Sequence, residues 1–178
     1  MTAISVEPAS DGSYSSDEVT GLVPWKTSGE TVMFQWQNIP GDTSASGDRV
    51  TQATPPYVAL TAASTFASKT DAIARDRDLL LAWSSDNPAA AGDVVIAELA
   101  SGGAQAVCTF DAAAGNGVVP AHALASLGAG DTSYEIHSKT TSTKEVVDAH
   151  GGTWTLSFNV DTRARTSYGV AAGSITLQ

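Results

Sequence analysis

Thr153-Trp154-Thr155-Leu156-Ser157-Phe158-Asn159-Val160-Asp161 decides the fold class. Apolar and polar residues alternate strictly, so Trp154, Leu156, Phe158 and Val160 face one way and Thr155, Ser157 and Asn159 the other. That period of two is the signature of a strand with one face in a core. A helix would scatter the same residues around its circumference. The reading makes this a central, half-buried strand, with Trp154, Leu156, Phe158 and Val160 inward.

The same period recurs along the chain. Thr31 to Gln37 sets Val32, Phe34 and Trp36 against Met33, Gln35 and Gln37. Asp78 to Ser84 sets Leu79, Leu81 and Trp83 against Leu80 and Ala82. Asp93 to Leu99 and Ala104 to Asp111 flank Ala100-Ser101-Gly102-Gly103, a hairpin signal. Tyr134 to Lys139 sets Tyr134, Ile136 and Ser138 against Glu135, His137 and Lys139, and Ser174 to Gln178 closes the chain with Ile175 and Leu177. Helical patterning is scarce. Thr61 to Leu81 is the best candidate helix, weakened by Ser64-Thr65 and Ser68-Lys69-Thr70. A short turn is expected over Pro120 to Leu127, with Pro120 at the first helical position and Gly128 at the stop. Short strands separated by Gly, Asn, Asp and Pro turns read as an antiparallel sandwich or barrel, and the expectation is an all-β, antiparallel β-sandwich with one or two short helical turns. Residues 41–56 are the most loop-like segment. They fit a long loop within one domain spanning 1–178, or a linker. Residues 1–40 offer too few strands to bury both faces of a sheet alone.

Composition bounds the chemistry. Lys and Arg number 9 against 19 Asp and Glu, a net charge of −10. That balance argues against a nucleic-acid surface, which needs clustered cations to release counterions. It equally disfavours an anionic membrane surface. No segment is apolar for long enough to form a transmembrane helix. Met1 to Pro8 lacks the basic and apolar regions of a signal peptide, and a Met placed before a strand-like run is compatible with a removed leader. Ala, Ser, Thr and Gly fill nearly half the chain. A small-residue, Lys-poor surface fits an extracellular, cell-surface or periplasmic bacterial protein.

The lone cysteine, Cys108, forbids an internal disulfide and a Cys-based zinc site. Its place in Ala106-Val107-Cys108-Thr109-Phe110 reads as a buried small hydrophobe. No phosphate-binding, dinucleotide, zinc-protease or nucleophile-elbow motif is present. His122, His137 and His150 are separated in sequence and read as lone surface histidines. His137 and His150 approach only if a hairpin joins their strands, and no third ligand is specified for a metal. Asp42 and Asp48 share one loop, while Asp71, Asp76 and Asp78 precede a strand next to Arg75 and Arg77. Neither set completes a calcium loop, so solvated turn aspartates are expected and no metal or cofactor is assigned. Trp36, Trp83 and Trp154 belong to apolar strand faces. Trp25, in Leu22-Val23-Pro24-Trp25-Lys26-Thr27, follows a proline in a loop. With Tyr14, Tyr57 or Tyr168 it is the candidate for stacking on a sugar ring.

From residue 75 onward the order is a strand ending in Trp83, a Gly-started strand from Gly92 to Leu99, Val107-Cys108-Thr109-Phe110-Asp111, Gly115-Asn116-Gly117-Val118-Val119-Pro120, a Leu-rich turn and a long final hairpin. This order resembles the immunoglobulin-like β-sandwich modules of bacterial secreted proteins and lipoproteins, notably uncharacterised ones of myxobacterial type. The resemblance implies a surface or periplasmic location, no catalysis and no particular ligand. The expected function is therefore a non-enzymatic secreted or cell-surface module with a structural or binding role and a protein or glycan partner. The alternative is a carbohydrate-binding or adhesin-type module using Trp25.

Overall fold

A computed structural model of the chain describes residues 28–35, 49–64, 72–147, 151–162 and 171–178. In order, its elements are β1 (Thr31–Gln35), β2 (Arg49–Ala53), β3 (Val58–Leu60), β4 (Ala72–Ile73), β5 (Leu79–Ser85), β6 (Val94–Ser101), β7 (Ala104–Asp111), a 3-10 turn (Ala112–Ala114), β8 (Asn116–Val119), α1 (Ala121–Ala125), β9 (Gly130–Val147), β10 (Thr153–Thr162) and β11 (Ala172–Leu177). The protein is all-β with one short helix and one 3-10 turn among the described residues.

β9 is the spine. Its 18 residues are far longer than any other strand. Its first part lies between β11, which pairs with Gly130 to Glu135, and β6, which pairs with Ser133 to Lys139. Its second part pairs with β10, from Thr162 opposite Ser138 to Thr153 opposite Val147. Ser138 and Lys139 face β6 and β10 at once, so β10 occupies the edge opposite β6 and follows β11 along it. The large sheet therefore runs β4-β11-β9-β6-β7 with β10 attached to β9. β4 runs parallel to β11, so the sheet is mixed rather than wholly antiparallel.

Within this sheet, period-two alternation delivers Val95, Ala97 and Leu99, Tyr134 and Ile136, and Ile175 and Leu177 to one core. The second sheet, β3-β5-β8, supplies Val58, Leu79, Leu81, Trp83 and Val119 to the same core. Leu124 of α1 and Leu127 just beyond it plug one end, both fully buried. Burying each such side chain contributes roughly 1.5–3 kcal/mol. With few large residues available, the Trp83 indole fills much of the space. Its Nε1 donates to the Ala112 carbonyl at 3.2 Å, so the polar tip is satisfied inside.

The β6–β7 hairpin forms where the glycine pair predicted it. Ser101 pairs with Ala104, and Gly102 and Gly103 have φ of 58° and 87°. Positive φ at both central residues is what a type I′ turn demands, and only glycine adopts it freely.

Four expectations change. The described parts of Thr61 to Leu81 are not helical: β4 and the start of β5 fall there, Ser64 instead closes the β3–β5 pairing, and residues 65–71 lie outside the described residues. The Ser64 hydroxyl donates to the Ala82 carbonyl at 2.8 Å and accepts from the Ala82 amide at 2.9 Å, acting as one more rung of the ladder. The loop-like span 41–56 contains β2, because Val50 and Gln52 alternate with small polar residues and pair with β1; residues 41–48 lie outside the described residues. The Trp154 strand alternates as read, with Val160 buried, Leu156 and Phe158 half-buried, and Thr155, Ser157 and Asn159 exposed. Yet it is an edge strand, bonded to β9 alone among the described strands. Pro120 caps α1 from outside rather than opening it, and the C-cap is Ser126, not Gly128.

Candidate functional site

The acidic residues come first, because they dominate the charge. Four aspartates use a carboxylate oxygen to hold a turn. Asp93 accepts from the Ala90 amide at 2.8 Å, and Asp111 accepts from Ala113 at 2.9 Å at the start of the 3-10 turn. Asp78 reaches 43 residues along the chain to accept from the Ala121 amide at 2.9 Å. It thereby caps α1, whose own N-cap is a proline without a side-chain acceptor. Asp86 accepts from both the Tyr57 amide, at 2.8 Å, and the Ser28 hydroxyl, at 2.7 Å. Asp76 is exposed, and Asp42, Asp48 and Asp71 lie outside the described residues. Among the described residues, no group of three or more His, Cys, Asp or Glu is placed to hold a metal ion.

The histidines separate. His122 is exposed on α1, and His150 lies outside the described residues. His137 corrects the surface assignment: it is 2 % exposed. Its face of the sheet carries Ile96 directly opposite on β6, with Glu135 and Lys139 on either side along β9. Its Nδ1 is buried without a hydrogen-bond partner, as is Oδ1 of Asp161, which sits opposite Lys139 on the same face. His137 and Asp161 share a face but no hydrogen bond joins these two atoms.

A second buried polar group lies on the other face of β9. The Ser138 hydroxyl donates to the Pro56 carbonyl and is bonded to the Thr162 hydroxyl, which also donates to Pro56 at 3.0 Å. Nearby, Ser142 donates to Oε1 of Gln52 at 2.7 Å. The sequence placed Ser138 on the Tyr134 and Ile136 face, which was the available signal that it is internal. Nothing local identified Pro56, 82 residues away, as its partner. These hydroxyls are held by backbone and by one another, and among the described residues no base is bonded to them to activate a nucleophile.

A depression of about 610 Å³ lies beside the glycine turn and is lined by Gly102, Gly103, Gln105, Asp131, Ser133 and Ser174. It is a shallow, largely polar shelf. Cys108 is half-buried beside the core, and burial pushes its thiol above the usual range. Trp83 is buried, Trp36 and Trp25 lie outside the described residues, and Tyr57, one proposed companion of Trp25, is buried. Tyr14 and Tyr168, the other companions of Trp25, also lie outside the described residues. No helix among the described residues is long and apolar enough to cross a membrane. No protein-family model, curated protein or solved structure matches the chain.

Proposed function

We propose that the chain is a non-enzymatic module of the immunoglobulin-like β-sandwich type, secreted or displayed at a bacterial cell surface, with a structural or binding role. The observation that supports this reading most is the use made of its carboxylates. Asp78, Asp86, Asp93 and Asp111 are bonded to backbone amides, so these four carboxylates are committed to shaping the scaffold rather than held free as in a hydrolase or a calcium loop. The buried hydroxyls Ser138 and Thr162 are likewise bonded to the Pro56 carbonyl. A protein or glycan partner fits such a module; nucleic acid does not, at a net charge of −10. The test has two parts. A broad hydrolase panel is expected to show no turnover, and turnover abolished by one point substitution would overturn the non-enzymatic reading. Fractionation of the source cells is expected to place the protein outside the cytoplasm, and a cytoplasmic pool alone would overturn the location.

A further inference from the structure

We propose that β7 is a docking edge for a second copy of this chain: two β7 strands pair antiparallel about a two-fold axis at Val107 and join the large sheets of two molecules into one. β7 ends that sheet, and among the described strands it pairs with β6 alone. The Ala112 amide donates to the Asp93 carbonyl at 3.1 Å. Continuing that alternation along the register makes Val95–Phe110, Ala97–Cys108, Leu99–Ala106 and Ser101–Ala104 the mutually bonded pairs. Gln105, Val107 and Thr109 therefore turn their amides and carbonyls away from β6, and all three residues are exposed. Among the described residues Val107 is the most exposed large hydrophobic, at 56 %. The inner face is open along the same edge. Val95, Ala97 and Leu99 on β6 are buried, whereas Ala104, Cys108 and Phe110 on β7 are only half-buried although they pack against the core. A further strand laid along β7 covers both.

Edge strands are usually guarded by charge, proline, a bulge or shortness. β7 has 8 residues, and Leu99 to Phe110 holds neither a charge nor a proline, in a chain with 9 Lys and Arg and 19 Asp and Glu. An unlike partner of so acidic a protein is selected by charge, and this run carries none to select with. A second copy needs none. Gln105-Ala106-Val107-Cys108-Thr109 presents the same kinds of residue in either direction: polar, small, Val, small, polar. That is the self-complementarity a two-fold interface requires. Pairing about Val107 sets Val107 beside its own copy, Gln105 opposite Thr109 and Ala106 opposite Cys108. No acid meets an acid there, because Asp111 falls opposite Gly103 and its carboxylate is already bonded to the Ala113 amide. Glu98 stands beside Val107 on β6. It lies three strand spacings, about 14 Å, from its copy, beyond the roughly 8 Å over which exposed charges act in physiological salt. One strand pair is smaller than the roughly 1,200 Å² of a standard interface, so the dimer is weak and reversible.

Sedimentation equilibrium of the full chain, from about 1 µM to about 1 mM, tests this. A monomer–dimer equilibrium is expected. Val107→Lys sets two ammonium groups side by side on the axis and is expected to weaken dimerisation at least about tenfold, while Val118→Lys, at an exposed position on β8, leaves it unchanged. Mild oxidation in a Cys108→Ala background reads the register. Val107→Cys is expected to give disulfide-linked dimers, since bonded antiparallel partners stand about 5.5 Å apart. Gln105→Cys is not, because its two copies lie about 13 Å apart along the strands. A chain that is monomeric at every concentration would overturn the proposal. So would association indifferent to Val107→Lys or equally weakened by Val118→Lys, or cross-linking no better at position 107 than at 105.

Discussion

Leu81 and Phe158 stand in comparable alternating patterns but in different surroundings. Leu81 is fully buried between the two sheets, whereas Phe158 is half-buried on an edge strand. Leu81→Ala should therefore cost about 2–5 kcal/mol and Phe158→Ala about 1–3 kcal/mol, with Thr155→Ala on the exposed face below about 1 kcal/mol, all read from denaturant midpoints. Gly117 is a different case, since a Cβ there would overlap the Phe110 ring. That ring lies 5.9 Å from Trp83, so it cannot yield without disturbing the core. Gly117→Ala is expected to lower stability by about 1–3 kcal/mol. Among the described residues, two groups bear on the alkaline limit. Burial raises the Cys108 thiol above its ordinary 9.0 and the Tyr134 phenol above its ordinary 10.0. A raised value means that folding favours the protonated form, so this stability is complete below the unfolded-state values and is lost as pH rises through the folded ones. Urea midpoints should be flat up to about pH 8 and fall above pH 9–10, with Cys108→Ala moving the onset upward. A midpoint that rises across that window would refute the assignment.

Elements record where local chemistry suffices and where it does not. The β6–β7 hairpin was legible because Gly102-Gly103 carries its own turn geometry. Gly103→Ala, at φ 87°, should destabilise by about 1–2 kcal/mol, while Gly102→Asn, at φ 58°, should be close to neutral, as thermal melts would show. Helix α1 was legible in place but not in mechanism. Its missing first-turn acceptor comes from Asp78, just before β5, a tertiary contact that no local window reveals. Asp78→Ala should therefore cost about 0.5–2 kcal/mol although Asp78 is exposed and unrelated in sequence to the helix. The described parts of Thr61 to Leu81 depart from the helical pattern for the opposite cause: small, Ala-rich residues carry little periodicity, and strand pairing by Ser64 and Leu79 decides the outcome there. β2 was hidden for a similar reason, since Gln52 is a polar residue on a buried face.

At the scale of the molecule, the all-β class followed from alternation, but the placing of strands did not. Trp154 to Val160 looked central because its pattern is the cleanest in the chain, and a clean pattern reports one buried face rather than two paired edges. The same limit hid His137. Alternation with Tyr134, Ile136 and Ser138 put it on the outer face, and burial of that face depends on neighbours from distant segments. Of the candidate site, only what is spent in local turns could be anticipated, as with Asp93 and Asp111; Asp78, Asp86 and the Ser138–Thr162–Pro56 group depend on contacts across the chain. The central structural claim is that β9 organises the fold, with β6 on one edge and β11 then β10 along the other. Interstrand nuclear Overhauser contacts in labelled protein measure this directly. The account predicts contacts from Glu135 to both Glu98 and Ala172, and from Asn159 to Thr141. Contacts placing β10 between β9 and β6, as a central strand, would contradict it.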